Sequence, residues 1–300
     1  MLPNFLIIGA QKSGTTFVHE CLREHPDIFM PRSEVRFFED PDYHESGFQQ
    51  FEALFAKVRH QKAIGIKRAD YLAKPECPAR IHEYIPSARL IVTLRSPVQR
   101  AISAYFWYMR MGYIPLARPE EGMRAILDAS YTRSYPKSQD IIDYGFYGQQ
   151  LQRYLRYFDR EQMLILLLTR LRADPLESIR GLYRFLEVDQ HYLPRARGRT
   201  WKSAIYSPSR IRFRRLFNPL IYSYCFENGR VTNLCSRGNV VSTLLGYAIG
   251  GTDRLLLARL CRNDKPSLSV PLRKRLLDVY REDVARLEHL LGTDLSGWRR

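Results

Sequence analysis

The residues best suited to chemistry form a short loop near the start of the chain, Gly9-Ala-Gln-Lys12-Ser-Gly14-Thr-Thr16. A run of apolar, partly β-branched residues precedes the loop, and apolar residues at helical spacing follow it. In such a loop the backbone N–H groups and the positive end of the helix dipole converge on an anion. The sequence therefore predicts a phosphate-binding loop between a buried strand and a helix.

The loop differs from a Walker A motif, which places a Lys directly after its second Gly and a Ser or Thr beside that Lys for magnesium. In this chain two Thr follow the second Gly, and the only Lys lies inside the loop at position 12. The buried run Ala88–Leu94 ends in Arg95, where a P-loop NTPase often has a magnesium-binding Asp. We therefore expect a phosphate site without a metal ion.

A second anion-binding feature begins at Arg95. Ser96 suits the N-cap of a helix, and the Pro after it suits the first helical position. Ser103 lies about two helical turns after Ser96 and on the same face. Arg95 and Ser103 could therefore hold one phosphate from two sides, although such a Ser is more often a small packing residue.

Glu34 and Lys67 are candidate catalytic residues. Glu34 is flanked by a Val and two Phe, and desolvation there could raise the pKa of a carboxyl and suit a general base. A surface Glu at the end of a loop is an equally simple interpretation. Lys67 ends the buried run Ala63–Lys67, and ligands of open parallel sheets bind beyond the carboxyl ends of the strands. The alternative for Lys67 is a side chain that extends from a strand end into solvent.

These motifs resemble those of sulfotransferases that use 3′-phosphoadenosine 5′-phosphosulfate (PAPS), and they extend over most of residues 5–200. The first loop resembles the 5′-phosphosulfate loop of that family, and Arg95-Ser-Pro-Val-Gln-Arg-Ala-Ile-Ser103 resembles its 3′-phosphate site. Glu34-Val-Arg-Phe-Phe and Lys67-Arg-Ala-Asp-Tyr resemble motifs of the heparan sulfate glucosaminyl N- and 3-O-sulfotransferases. Arg36 stands where those relatives have His or Gln, which leaves the base intact and the acceptor open.

The resemblance implies a role for each residue. Glu34 would remove the proton of the acceptor, Lys12 would offset charge on the departing 5′-phosphate, and Lys67 would stabilise the sulfuryl oxygens. The donor-binding residues that the resemblance implies are Lys12, Ser13, Gly14, Thr15, Thr16, Arg95, Ser103 and Lys202. The basic, aromatic stretch that contains Trp201 and Lys202 matches the family's basic loop only loosely.

Alternation of strand and helix patterns predicts an α/β, P-loop-like three-layer fold with a central parallel sheet flanked by helices. We expect one sulfotransferase domain over residues 1–300. Within it, residues 204–262 read as a variable helical insertion, with helices over 210–226 and 240–249. Further helices are expected over residues 97–112, 120–128, 141–158, 171–186 and 269–291.

Composition limits the classes of protein that remain. Three hundred residues with 45% apolar content suffice for one large core, and no stretch has the length and apolar character to cross a bilayer. The N-terminus lacks a basic region followed by an apolar segment, which favours a cytoplasmic protein and a bacterial or trimmed relative of the family's anchored Golgi members. Five cysteines without a metal-ligand spacing favour thiols in a reducing compartment, and the sequence leaves open whether Cys225 and Cys235 pair.

The expected function is transfer of a sulfuryl group from PAPS to a hydroxyl or amine, with a saccharide or glycoconjugate as acceptor. A nucleotide-dependent kinase with a degenerate phosphate loop is the first alternative, and the missing Lys after the second Gly argues against it. A basic nucleic-acid-binding protein is the second, since a net charge of +16 favours anionic partners. No reading helix, zinc site or aromatic RNA motif is recognisable, so we expect no nucleic acid partner.

Overall fold

The computed structural model describes residues 1–198, 204–227 and 230–299. Its strands are β1 (Phe5–Gly9), β2 (Ile28–Phe29), β3 (Ala63–Lys67), β4 (Arg89–Leu94), β5 (Met163–Leu167), β6 (Tyr222–Glu227) and β7 (Arg230–Ser236). Its first helices are α1 (Thr15–Arg23), α2 (Phe48–Ala53), α3 (Cys77–Tyr84), α4 (Pro97–Met111), α5 (Pro119–Leu127), α6 (Asp140–Asp143) and α7 (Tyr147–Tyr154). The later helices are α8 (Leu168–Ala173), α9 (Pro175–Phe185), α10 (Pro208–Ile221), α11 (Val240–Thr252), α12 (Ala258–Leu260) and α13 (Val270–Leu291).

Strands β1 to β5 form a parallel sheet in the order β2-β3-β1-β4-β5. Strand β1 lies between β3 and β4, and Leu6 is in register with Ile66 on one side and Leu90 on the other. Every residue of β1 is buried, as expected for a parallel strand whose two faces are both covered. The predicted α/β fold with a central parallel sheet flanked by helices is therefore confirmed.

One face of this sheet packs against α1, α8 and α9. Alternate residues of β1 point to that face, because side chains alternate along a strand. The packed cluster includes Phe5, Ile7, Phe17, Val18, Cys21, Leu22, Ile91, Leu171, Ile179 and Leu182. This packing fixes α1 against the sheet and so sets the position of the loop that joins β1 to α1.

The chain forms two compact units. The first unit contains the parallel sheet and consists of Met1–Arg100, Phe146–Trp201 and Arg281–Arg299. The second consists of Ala101–Gly145 and Lys202–Tyr280, together with Arg300, and it contains the antiparallel hairpin of β6 and β7. The single-domain interpretation of residues 1–300 stays a prediction.

Two of the helices expected from the sequence are broken in the structure. The helix expected over 141–158 is interrupted between α6 and α7, at Gly145, where a Cβ would lie 2.6 Å from the ring of Tyr280. The helix expected over 171–186, with Asp174-Pro175 at its start, is divided there: residues 171–173 end α8, and α9 begins at Pro175, because the residue before a Pro disfavours helical backbone. Asp174 instead caps α9 by accepting a hydrogen bond from the backbone N–H of Glu177 at 3.0 Å.

The helical expectation for residues 204–262 is partly wrong. Helices α10 and α11 cover the predicted 210–221 and 240–249, but residues 222–227 form strand β6. Tyr, Ser, Cys and Phe alternate there, and pairing with β7 supplies the backbone hydrogen bonds that a longer helix would have made. The C-terminal helix α13 agrees with the predicted 269–291, and Gly292 after it has φ of 60°, as a helix-terminating Gly does.

The helices of the second unit include a strongly apolar one, α11. Within the described ranges, however, no helix combines the length and apolar character needed to cross a membrane.

Candidate active site

The loop between β1 and α1 turns through a Gly with positive φ. Gly14 has φ of 101° and ψ of 4°, in the left-handed region that Gly occupies without a steric cost. The backbone N–H of Ala10 donates to the carbonyl of Thr93 in β4 at 2.8 Å, which fixes the loop over the carboxyl end of the sheet. In the described part of the chain no side chain caps the first turn of α1, so an anion could satisfy its N–H groups.

Arg95 is tied to this loop. It directly follows β4, and its Nη1 donates to the backbone carbonyl of Lys12 at 3.1 Å. Its Nη2 donates to Oε1 of Gln99, one turn into α4, at 3.2 Å. The structure thus brings the Arg at the end of β4 to the Lys inside the loop, although the two residues are far apart in the sequence.

A buried polar cluster includes a residue of the loop. Ser13 and Arg100 are fully buried, and so is Tyr147 at the start of α7. Burial raises the pKa of the Tyr147 phenol, while Arg100, Ser13 and Arg95 act in the opposite direction. Two guanidinium groups therefore act on the buried Tyr147, and their positive charge would attract an anion bound at the loop.

Lys67 connects the loop to the candidate base. It is the last residue of β3 and is almost completely buried, so only its terminal nitrogen needs polar partners. Its Nζ donates to the Thr16 hydroxyl in the first turn of α1 at 3.3 Å. The same Nζ lies 2.9 Å from Oε1 of Glu34. The Lys that the sequence singled out thus lies between the two other candidate elements of the site.

The surroundings of Glu34 are ionic rather than apolar, which corrects the environment expected from its Val and Phe neighbours. Its second carboxylate oxygen accepts a hydrogen bond from Nη1 of Arg68 at 2.9 Å. The neighbouring Phe37 is buried elsewhere and stacks on Phe51, with ring centroids 4.6 Å apart. Glu34 remains partly exposed, so its carboxylate can be approached from solvent.

Arg68 is a site residue that the sequence analysis missed. It binds both oxygens of the buried Glu39, at 3.0 and 2.6 Å, and it also lies 2.9 Å from Asp70. Burial alone would lower the pKa of Arg68, but Asp70, Glu39 and Glu34 raise it well above its usual range. The available signal was a second cation directly after the Lys that ends β3.

Arg68 also extends the ionic network back to the loop. Asp70, which it contacts through Oδ2, accepts a hydrogen bond from the Gln11 amide through Oδ1 at 3.0 Å. The loop residue Gln11 is therefore linked to Glu34 through two intervening side chains. This continuous chain of polar contacts holds the candidate base at a fixed distance from the loop.

His19 on α1 lies behind this network. Its Nε2 is 2.9 Å from the backbone carbonyl of Pro31, and since a carbonyl only accepts, Nε2 carries the hydrogen. Burial lowers the pKa of His19 to about 4, and the nearby charge of Lys67 acts in the same direction. His19 is therefore a neutral donor that holds the segment before Glu34 against α1.

Outside the loop and apart from Arg95, the predicted donor-binding residues are Ser103 and Lys202. Ser103 lies in α4 and is buried, and its contact with a phosphate stays a prediction. Lys202 and its neighbour Trp201 lie outside the described residues. Among the residues that the structure describes, no group of three or more His, Cys, Asp and Glu side chains could hold a metal ion.

A surface pocket lies at the opposite end of the sheet from the loop. Asn4, Lys62 and Arg89 line it, and these residues precede or begin β1, β3 and β4. Arg89 is already paired there with Glu187. Ligands of open parallel sheets bind beyond the carboxyl ends of the strands, so we assign the site to the loop and not to this pocket.

Comparison with known proteins points to one family. Residues 2–204 match the family described as the sulfotransferase domain. The chain is 32% identical over 200 residues to heparan sulfate glucosamine 3-O-sulfotransferase 3A1 of Mus musculus, an alignment that covers 64% of this chain and 48% of that protein. It is 31% identical over 203 residues to bifunctional heparan sulfate N-deacetylase/N-sulfotransferase 4 of Mus musculus, covering 64% of this chain and 23% of that protein.

These alignments cover half or less of the curated relatives. A structural match covers more: the crystal structure of a sulfotransferase from Alicyclobacillus acidocaldarius superposes with a TM-score of 0.69 at 25% identity, over 100% of both chains.

Proposed function

Because the chain belongs to the sulfotransferase domain family, matched over residues 2–204, we propose that it transfers a sulfuryl group from PAPS to a carbohydrate hydroxyl or amine. The observation that carries this proposal is the position of Lys67. Its Nζ contacts Thr16 at the phosphate loop and Glu34, the candidate base, at 3.3 and 2.9 Å. One cation thus lies between the place where a donor phosphate would bind and the group that would accept a proton.

The donor would bind along the carboxyl end of the sheet. Its 5′-phosphosulfate would take the N–H groups of the loop from Ser13 to Thr16, whose helix lacks a side-chain cap in the described part of the chain. Lys12 and Arg95 would supply the cations for the phosphates, and the hydrogen bond from Nη1 of Arg95 to the backbone carbonyl of Lys12 at 3.1 Å holds Arg95 at the loop. Ser103 would complete the 3′-phosphate site, as the sequence predicts.

The reaction proposed is a direct in-line transfer. The acceptor oxygen or nitrogen forms a bond to sulfur while the bond between sulfur and the bridging oxygen breaks, and adenosine 3′,5′-bisphosphate leaves with that electron pair. Glu34 takes the proton of the acceptor, Lys67 stabilises the sulfuryl oxygens, and Lys12 offsets charge on the leaving phosphate. Such a transfer depends on positioning and cationic stabilisation rather than on a covalent enzyme intermediate.

The proposed acceptor is an acidic saccharide or glycoconjugate. Both mouse relatives are named for heparan sulfate, one for O-sulfation and one for N-sulfation of it. A net charge of +16 suits an anionic polysaccharide, which long-range attraction would concentrate at the protein surface. A kinase is the competing proposal, and the donor experiment below separates the two.

The donor site is tested by calorimetric titration with adenosine 3′,5′-bisphosphate and with ATP, both without magnesium. We expect tight binding of the bisphosphate, weakened about tenfold or more by Arg95→Ala because a charge-assisted contact is lost. Arg89→Ala is the matched control, since Arg89 begins the strand that Arg95 follows and lies at its other end. Equal binding of ATP that requires magnesium would contradict the donor assignment and favour a kinase.

The same preparations test the base by transfer of labelled sulfuryl from PAPS to heparan sulfate. Glu34→Gln should lower kcat by about a hundredfold or more, since general base catalysis is lost, while binding of the bisphosphate is retained. Glu52→Gln is the control, because the side chain of Glu52 is 43% exposed and that of Glu34 36%. Near-normal turnover of Glu34→Gln would remove this residue from the mechanism.

A further inference from the structure

Helix α11 directs its large apolar side chains toward solvent. Val240, Leu244 and Tyr247 are 74%, 62% and 74% exposed. They recur at the spacing of one helical face, which in an ordinary surface helix would face the core. Exposure of such an apolar stripe to water is unfavourable, so its burial against an apolar partner would lower the free energy.

The opposite face of α11 is built from small residues that approach α10. Ser242 is buried. A Cβ on Gly246 would lie 3.8 Å from Ile221, and one on Gly250 would lie 3.6 Å from the Arg214 guanidinium. Small residues and the buried Ile249 therefore lie on the inner face of α11, and the larger side chains of Val240, Leu244 and Tyr247 remain exposed.

The apolar surface continues beyond α11. Leu255, Leu256 and Leu260 are each more than half exposed. We call the whole set the α11 surface; it consists of Val240, Val241, Leu244, Tyr247, Leu255, Leu256 and Leu260. Seven exposed large apolar residues within about twenty positions exceed the scattered single residues that a soluble surface normally carries.

Positive charge borders this surface. The sequence has no charged residue from 238 to 252, whereas Arg237, Arg254 and Arg259 flank the apolar stretch and are exposed. The acidic Asp253 is buried and neutralised by Arg210 at 2.8 Å and by Arg214 at 3.2 Å. The exposed charge next to the α11 surface is therefore predominantly cationic.

We propose that the α11 surface docks on an anionic lipid bilayer. The apolar side chains would enter the boundary between head groups and acyl chains, and the flanking Arg side chains would contact lipid phosphates. With 13 residues, α11 is about 20 Å long and suits a position parallel to the bilayer plane. Charge complementarity favours this partner over a second copy of the chain, whose equally cationic surface would repel it.

The test is sedimentation of the purified chain with vesicles of phosphatidylcholine alone and of phosphatidylcholine mixed with phosphatidylglycerol. Binding to the mixed vesicles is expected, with less at high salt because the charges are screened. Val240→Asp should weaken it about tenfold or more, since an apolar contact becomes an acidic one. Val270→Asp is the matched control, because Val270 also begins a helix and is 81% exposed but lies outside the α11 surface.

Three results would overturn the proposal. The first is the absence of sedimentation with mixed vesicles, and the second is equal binding by Val240→Asp and the unaltered chain. The third is a dimer in light scattering that Val240→Asp converts to a monomer without any vesicle binding, which would assign the surface to a second copy. Because both Val residues lie at helix N-termini, where Asp is favourable, both variants should remain folded.

Discussion

His19 is a buried imidazole whose pKa is affected by the nearby charges of Lys67 and Glu34. It donates to the carbonyl of Pro31 at 2.9 Å and must remain neutral, because burial and Lys67 both oppose a positive charge there. The segment that it holds leads directly to Glu34. Protonation of His19 would therefore loosen the part of the chain that positions the proposed base.

The stability of the protein should depend on pH through His19. Its pKa falls from about 6.5 in the unfolded chain to about 4 in the folded one, so the unfolded state binds more protons between these values and stability is lost as pH falls through that window. Between pH 7 and pH 4.5 this loss amounts to about 2 kcal/mol. Urea denaturation at both pH values measures it.

His19→Gln provides the comparison, because its amide can still donate to Pro31 and does not titrate. The difference in free energy of unfolding between the two pH values should shrink by about 2 kcal/mol in this variant. If both proteins lost the same stability on acidification, the neutral buried state of His19 would be wrong.

For individual residues, the sequence predicted which of them lie together better than it predicted the environment around each one. The sequence singles out Lys67 as the end of a strand, Glu34 by its apolar neighbours and Lys12 by its place in the loop, and the structure joins Lys67 to Glu34 directly. The ionic environment of Glu34 was not predicted, because it depends on Arg68, a residue more than thirty positions away. Local neighbours in sequence say little about which side chains arrive from another strand.

Helix α7 is capped by a residue of another helix. The two carboxylate oxygens of Asp283, in α13, accept hydrogen bonds from the backbone N–H groups of Gly148 and Gln149 at 2.8 and 2.9 Å. Burial raises the pKa of Asp283, and these two hydrogen bonds act in the opposite direction. The cap fixes the start of α7, where Tyr147 lies in the buried polar cluster.

Asp283→Ala should destabilise the protein by about 2–4 kcal/mol, because two buried N–H groups lose their acceptors. Asp283→Asn, which keeps an acceptor oxygen, should cost about half as much. Chemical denaturation measures both, with Glu282→Ala as an exposed neighbour on the same helix whose effect should stay within about 0.5 kcal/mol. A loss for Asp283→Ala no larger than this control would show that water replaces the carboxylate.

Elements were predictable where their signals were local. Strand β3 has the bounds that its apolar run indicated, and the parallel fold followed from the alternation of strands and helices. The break between α6 and α7 was not predictable from apolar spacing, and Gly145 within it is also where Tyr280 approaches from far along the chain. The family resemblance, which depends on local motifs, is confirmed by the match over residues 2–204.

The whole chain passes back and forth between its two units. It leaves the first unit after Arg100, returns at Phe146, leaves again after Trp201 and returns at Arg281. The last segment contributes the fully buried Leu287 as well as the Asp283 cap to the first unit. The segment that matches the family, residues 2–204, therefore lacks part of the first unit, which contains the sheet.

Residues 1–204 expressed alone should fail to fold cooperatively, although they contain the entire family match. They would lack the third segment of the first unit and nearly all of the second segment of the second unit, which leaves the contacts of Asp283 and Leu287 unmade. Circular dichroism during heating measures this, with the complete chain as reference. Co-expression with residues 205–300 should restore a cooperative transition, whereas a Tm of the isolated piece equal to that of the complete chain would contradict the expectation.

The cap that Asp283 supplies also has a consequence for the growing polypeptide on the ribosome. Strand β5 ends at Leu167, and at about 5–20 residues per second translation takes roughly 6 to 23 s more to reach residue 283. During that interval the nascent sheet has all five strands but not the carboxylate that secures α7. Chaperones that bind exposed apolar surface would meet this chain late in synthesis, after all five strands have been translated and before the segment that caps α7 has emerged.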